Sequence, residues 1–251
     1  RMWEELMAEI LAVPGYQAMF QAAYPDVPPE ELGFEHAANA MAAYQAEIFT
    51  FLDSPWDRYL QGDKTAVSPQ VLAGAELFYG KAGCARCHSG SLMSDLQFHN
   101  IGVPQVGPGK GNEEPFDYGR ARETGDDSDL FAFRTPPLRN VAITGPWMHN
   151  GAYTTLEAAV WHHLDPVQAV QNYDFSQLTP LMLEEDSGDT AVHTAALHAP
   201  SFVRPSPDLT SAEVAALLTF LESLTSPSAL DLSHTIPKSV PSGLPVGGSI
   251  D

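Results

Sequence analysis

Apolar residues along this chain recur at helical rather than strand spacing. Trp3, Leu6, Met7, Ile10 and Leu11 follow the i, i+3, i+4 rhythm of an amphipathic helix, which Pro14-Gly15 should stop. Gln17 to Ala23 predicts a short second helix before a turn rich in proline at Pro25, Pro28 and Pro29. From about Phe34 to Leu52 an alanine-rich helix is expected, with Met41, Tyr44, Ile48 and Phe51 or Leu52 on one face. Asp53-Ser54-Pro55 should end it. Ser68-Pro69 couples an N-cap to a first-turn proline and opens a helix carrying Val71, Leu72, Leu77 and Phe78.

Between Ser89 and Arg134 the helical rhythm disappears and Gly, Pro, Asp and Asn accumulate, which predicts a long loop region. Thr154-x-x-Glu157 reads as a capping box opening a helix through Leu164. Thr210-x-x-Glu213 reads as another, opening a helix through Leu224 with Val214, Leu217, Leu218 and Leu221 facing inward. The stretch 171–207 has no clear period and reads as an irregular insertion. After Ser226, Pro227, Pro237, Pro241 and Pro245 among Gly and Ser predict an extended tail. The expected class is therefore mainly α.

The 251 residues allow one large domain or two small ones, and 44% hydrophobic content supports a buried core. Twelve Lys and Arg against 32 Asp and Glu give a net charge of −20. That surface repels nucleic acid and anionic lipid; it favours solubility and would steer a basic partner such as a small redox protein. No apolar run is long enough to span a bilayer, and the N-terminus has no signal-peptide pattern. The abrupt helical start at Trp3 suggests that further sequence lies upstream.

The chemistry concentrates at Cys84-Ala85-Arg86-Cys87-His88, which holds both cysteines of the chain. Cys-x-x-Cys-His is the attachment pattern of c-type haem: two thiols add to the two vinyl groups and the histidine becomes the proximal iron ligand. A redox dithiol would want a βαβ context, and a zinc ribbon a second cysteine pair; neither is present. The helix from Pro69 leads directly into Cys84, the order a cytochrome c-like haem domain requires. The sixth iron ligand has several candidates downstream: Met148, Met182, His162 and His163. Leu156, Val160 and His163 share one face of their helix, whereas His162 sits about 100° round, beside Ala158 and Ala159. Arg134 and Arg139 are candidates to pair with haem propionates. His99 and His149 are candidates to hydrogen-bond near the haem edge, while His36, His193, His198 and His234 belong to no motif.

The segment from Phe133 through Arg134-Thr135-Pro136-Pro137-Leu138-Arg139-Asn140 to Trp147-Met148-His149-Asn150-Gly151 resembles the signature of bacterial dihaem cytochrome c peroxidases and their MauG-like relatives. Ser54-Pro55-Trp56-Asp57-Arg58-Tyr59-Leu60, Leu77-Phe78 and Phe98-His99-Asn100 stand in matching order, so the resemblance runs from Met2 to about Leu224. It implies a two-haem protein in which this chain carries the second, electron-transfer haem. The peroxidatic haem, with the family's acid and base residues, would lie upstream or on a partner, so no residue here is assigned as catalytic. The second-haem ligand, usually Met or Tyr, falls on His163, which implies bis-histidine coordination. Phe98 and Met148 then become walls of the haem pocket. The family's calcium ligands map onto the backbone carbonyls of Thr144 and Pro146.

The resulting expectation is one covalent haem c, with a calcium ion as a further candidate. Residues 1–60 would be helices packing on the missing first haem domain, 61–225 a cytochrome c-like haem domain, and 226–251 an extended tail. Covalent attachment of haem implies a periplasmic or otherwise extracytoplasmic location. The expected partners are a second haem domain or chain and a redox protein that donates electrons, and a homodimer or larger redox complex stays open. Two other functions compete: a monohaem electron carrier or cytochrome subunit, and a MauG-like oxidase acting on a protein or organic substrate.

Overall fold

The computed structural model describes residues 2–203 and 207–246. Those residues form α-helices, short 3-10 turns and a single two-stranded ribbon, so the protein is mainly α. The chain divides into two compact units: Arg1–Leu52 with Pro227–Asp251, and Asp53–Ser226.

In the first unit, α1 (Met2–Leu11) is followed by α2 (Pro14–Ala23) and α3 (Phe34–Ile48). Pro14, read above as a stop, occupies the first turn of α2, where its missing N–H leaves no bond unmade. Met7, Leu32 and Ala37 form the buried centre, with Ile10, Leu11, Phe20, Tyr24, Val27 and Phe34 packed around them. The N-terminus of α3 is fastened by the Gly33 amide donating to His36 Nδ1 at 3.1 Å. That helix ends at Ile48, short of the expected Leu52. Two 3-10 turns, Pro227–Ala229 and Ser233–Thr235, interrupt the otherwise extended tail.

The second unit begins with α4 (Pro55–Leu60), which the sequence reading merged into a stop signal. Ser54 is its cap: Ser54 Oγ accepts from the Asp57 amide at 3.1 Å, and Asp57 Oδ2 accepts from the Ser54 amide at 3.3 Å. Next comes α5 (Pro69–Tyr79), capped by Ser68 as expected. The long loop region holds α6 (Ala121–Thr124) and an antiparallel ribbon of β1 (Phe98–His99) and β2 (Phe133–Arg134). The cap of α7 (Leu156–Leu164) is Thr155 rather than Thr154; its Oγ1 accepts from the Ala158 amide at 3.2 Å. Glu157 therefore takes no part in a capping box and lies beside the Trp161 indole instead. The segment read as irregular contains α9 (Pro180–Glu184), α10 (Thr190–His193) and α11 (Ala195–His198), after α8 (Pro166–Gln171). Finally α12 (Ser211–Glu222) opens on the predicted Thr210–Glu213 box.

The core of this unit is the crossing of α5 and α12. Phe78, Leu217 and Phe220 are at most 1% exposed there, joined by Trp56, Val71, Ala75 and Met93. The helices touch backbone to backbone at Gly74, where a Cβ would run into the Ala216 carbonyl and the Phe220 side chain. The segment after β2 then ties the loop region to this pair. Arg139 makes a bidentate pair with Asp57 at 2.9 and 3.0 Å and donates from Nε to the Ser91 carbonyl at 2.8 Å. Asn140 donates from its amide to Leu224 O at 3.1 Å, and its Oδ1 accepts from the Ser226 amide at 2.8 Å.

Two expectations follow. In an open helix Gly→Ala stabilises by about 1 kcal/mol, but Gly74→Ala must push the helices apart. It should lower stability by roughly 1–3 kcal/mol, seen as a fall in the thermal midpoint. The second concerns Asp57: burial works against its carboxylate, but hydrogen bonds from Arg139 and Ser54 and the Arg139 charge outweigh burial and hold its pKa below the ordinary 3.8. A depressed carboxylate pKa contributes stability above the unfolded value and loses it as pH falls through the folded one. Arg139→Met should thus cost roughly 3 kcal/mol at neutral pH, and denaturant titrations should show the gap from wild type shrinking below pH 3.8.

Candidate haem-binding site

The last turn of α5 leads into Gly83, whose φ of +72° turns the chain into a 3-10 turn at Cys84–Arg86. The His88 amide then donates to the Cys84 carbonyl at 2.9 Å, which places His88 one turn beyond Cys84. Both cysteines are free and partly buried. Burial pushes the Cys84 thiol up to about 11, and burial together with Asp95 raises Cys87. A redox dithiol needs a thiolate near neutral pH, so these thiols are poorly suited to that role. Cys84 packs on the apolar cluster around Phe78 and Phe220.

His88 and His163 come together. Their ring centroids lie 6.3 Å apart, with planes inclined by 62°. Metal–imidazole bonds are about 2 Å long and each ring centre lies roughly an ångström beyond its nitrogen, so two imidazoles on one metal would sit about 6 Å apart. Each ring is oriented by a main-chain carbonyl: His88 Nδ1 by Met93 O at 3.1 Å, and His163 Nδ1 by Ala159 O at 2.8 Å. With the proton on Nδ1, each Nε2 keeps a lone pair for a metal. Burial, and secondarily His163, lowers the His88 pKa to about 4; burial lowers that of His163. Both rings are therefore neutral, the ligating form. His163 remains exposed and so open to a ligand. Thiols, spacing, tautomers and exposure together fit a covalently held haem.

Helix α7 separates the two histidine candidates. Leu156 and Val160, on the His163 face, pack on the same cluster as Cys84 and Ala85. Ala158 and Ala159, beside His162, pack on a second cluster containing Val103, Val106, Tyr153 and Tyr173. His162 is wholly buried with both nitrogens engaged: Nδ1 with the Tyr153 hydroxyl at 2.9 Å and Nε2 with Ile101 O at 3.0 Å. Burial drops its pKa to about 3. The Tyr153–His162 pair was invisible in the sequence, because it depends on two side chains nine residues apart meeting across a turn.

Other candidates fare differently. Arg139, considered above for a haem propionate, pairs with Asp57 and donates to the Ser91 carbonyl. Arg134 is exposed and faces Phe98 across the ribbon. Phe98, 40% exposed, carries the Arg120 guanidinium 4.4 Å above its ring. On the inward face of the ribbon, Phe133 stacks on His149 with centroids 3.4 Å apart, and His99 Nε2 pairs with Asp95 at 2.8 Å. Met148 packs against the second cluster. Thr144 and Pro146 are exposed, and the trio of potential metal-ligating side chains among the described residues lies elsewhere, at Cys87, Asp95 and His99. His36 fastens α3, and His193 pairs with Asp186 at 2.8 Å.

A family model described as di-haem cytochrome c peroxidase matches residues 1–65. The methylamine utilization protein MauG of Methylorubrum extorquens is 32% identical over 197 residues, 78% of this chain and 53% of that protein. The cytochrome c551 peroxidase of Pseudomonas aeruginosa is 35% identical over 149 residues, 59% of this chain and 42% of that protein. Among solved structures, a MauG-like protein associated with microbial copper homeostasis matches with a TM-score of 0.66 and 28% identity, covering 92% of this chain and 64% of that one. The diheme peroxidase BthA of Burkholderia thailandensis matches with a TM-score of 0.62 and 25% identity, covering 89% and 59%. This chain spans about half the length of the curated relatives it matches.

The thiol geometry yields a direct expectation. Intact mass under denaturing conditions should show one haem retained, and Cys84→Ser or Cys87→Ser should leave it on a single thioether, with reduced yield. Release of intact haem into acidic organic solvent from wild type would show that no such bond exists.

Proposed function

We infer that this chain, a member of the dihaem cytochrome c peroxidase and MauG-like family, is an electron-transfer haem domain with one haem c joined to Cys84 and Cys87 and held between His88 and His163. The observation that carries this reading is the facing pair of neutral imidazoles, 6.3 Å apart, each with its Nδ1 proton held by a carbonyl. When bound, haem supplies a one-electron redox couple. His88 and His163 would both hold the iron, which would leave peroxide no place on the metal and favour electron transfer. The carbonyls of Met93 and Ala159 fix the tautomers and limit ring rotation, so little reorganisation accompanies each electron. Two nitrogen donors favour the oxidised metal more than a thioether does, which lowers the potential. The aromatic and aliphatic cluster around Phe78 and Phe220 keeps water from the Cys84 side.

In this reading peroxide reduction takes place at a second haem supplied by a further domain or chain. The first unit exposes the apolar side chains of Met2, Trp3, Leu6, Met41 and Phe49, which suit such a neighbour. The net charge of −20 suits a basic electron donor, and covalent haem assembly suits an extracytoplasmic location; no described helix is long and apolar enough to cross a membrane. A MauG-like oxidase is the second reading, favoured by the MauG relative at 32% identity. Peroxide turnover with a reduced cytochrome in the full-length protein would favour the peroxidase.

The coordination is tested by His163→Gly, which should open the site to added imidazole or cyanide, and by His163→Met, which should stay six-coordinate while its potential rises. An unchanged spectrum in His163→Gly would refute the assignment. So would a Met–iron near-infrared band in oxidised wild type, which would point to Met148.

A further inference from the structure

His162 lies in the same turn of α7 as His163, yet its pair with Tyr153, a residue ahead of that helix, has no part in the coordination just described. Tyr153 is 4% exposed, and its hydroxyl meets His162 Nδ1 at 2.9 Å. His162 Nε2 meets the Ile101 carbonyl at 3.0 Å; since a carbonyl can only accept, Nε2 carries the proton and Nδ1 is a lone-pair acceptor. The phenol therefore donates to a free imidazole base inside a closed apolar cluster. The His162 ring centroid is 6.1 Å from that of His163 and 5.3 Å from the tyrosine ring.

This arrangement sets Tyr153 apart from the other aromatic donors that form hydrogen bonds among the described residues. Tyr173 donates to the Ala152 carbonyl, Tyr24 to His36 O, Tyr44 to Thr235 O, and Trp147 to Val141 O. Tyr79 donates to the Met93 thioether at 3.7 Å. None of these acceptors can keep a proton. Trp161 has a carboxylate within reach, Glu157 at 3.5 Å, but it is 38% exposed on the surface. A phenol loses an electron at accessible potential only if its proton leaves with it, and a buried phenol cannot hand that proton to water.

We propose that Tyr153 is a redox-active tyrosine, oxidised by one electron as its phenolic proton moves to His162 Nδ1. The balance is simple. The Tyr153 O–H bond breaks, an N–H bond forms at His162 Nδ1, and the electron reduces a one-electron oxidant of the hexachloroiridate(IV) class. The products are a neutral tyrosyl radical, an imidazolium still bonded to Ile101 O, and the reduced oxidant. Return of one electron from a reductant sends the proton back along the same hydrogen bond. The residue would thus hold a reserve electron beside the proposed haem ligand, and the inference rests on that haem reading for its use.

Freeze-quenched electron paramagnetic resonance of the haem-loaded protein after hexachloroiridate(IV) addition tests this. Wild type should give a tyrosyl signal, lost on Tyr153→Phe and retained in Tyr173→Phe. His162→Phe, which removes the base, should lower the radical yield at least tenfold. Should Tyr153→Phe fail to fold, wild type suffices: electron–nuclear double resonance should show one exchangeable proton hydrogen-bonded to the radical oxygen, its coupling altered in deuterium oxide. A radical that persists in Tyr153→Phe, one without that proton, or no radical at all would overturn the proposal. The low-spin haem signal in the same spectra reports separately on His88–His163 coordination, so either idea can fail alone.

Discussion

The second unit depends on the close approach of α5 and α12 at Gly74. Because the glycine lacks a side chain, the helix backbones meet directly, and Phe78, Leu217 and Phe220 close around the contact point. This fixes the direction in which α5 ends, and four residues after Tyr79 the chain reaches Gly83 and then Cys84. The same crossing anchors the surroundings: Trp56 of α4 meets Phe220 edge-on at 5.0 Å, and Asn140 binds the chain leaving α12. Dense packing makes such a contact a reference point rather than a soft spring. The Cys84 end of the cradle is thereby held in place by backbone, which a rotamer change cannot loosen.

The other wall is built differently. Helix α7 lies between two clusters, and adjacent histidines serve opposite sides of it. Successive residues on a helix point about 100° apart, so His163 can face the Cys84 cluster while His162 is locked into the cluster of Tyr153 and Tyr173. The lock is polar: one bond to a phenol and one to a carbonyl from the loop at Ile101. Rotating α7 to swing His163 away would break both bonds in a dry interior, where an unmade bond costs about 1–3 kcal/mol. His162 thus restrains its neighbour, while its own two nitrogens stay engaged elsewhere.

Much of this was legible beforehand. Helix periodicity located the amphipathic elements, and Ser68 and Thr210 marked true caps because each precedes an apolar run with nothing competing upstream. Where two readings of one residue are locally equivalent, the sequence reading chose wrongly. Ser54 looks like the end of one helix but begins another, and Thr154 and Thr155 differ by a single residue of register that the packing of α7 decides. Leu156 and Val160, which share a helical face with His163, pack on the same cluster as Cys84. The pairing of Arg139 with Asp57 could not be read, since the two are remote in sequence and met only once α4 was placed. Gly74 likewise looks like a flaw in a helix until α12 lies across it.

The acidic groups near the attachment turn show how the site avoids competing chemistry. Cys87, Asp95 and His99 lie close enough together to resemble a cation site. Burial and Asp95 itself raise that thiol, which disfavours the free thiolate. Asp95 is already engaged on both sides: its amide donates to the Cys87 carbonyl at 2.6 Å, and its carboxylate pairs with His99 at 2.8 Å. Burial opposes the Asp95 charge, but the bonds from His99 and Gln97 outweigh burial and keep its pKa below the ordinary carboxylate value. A thioether at Cys87 would remove the third ligand altogether and leave the other two bonds intact. Asp95 is then a brace that joins the attachment turn to the ribbon carrying Phe133, so that the two cysteines and the inward face of β1 and β2 keep one geometry.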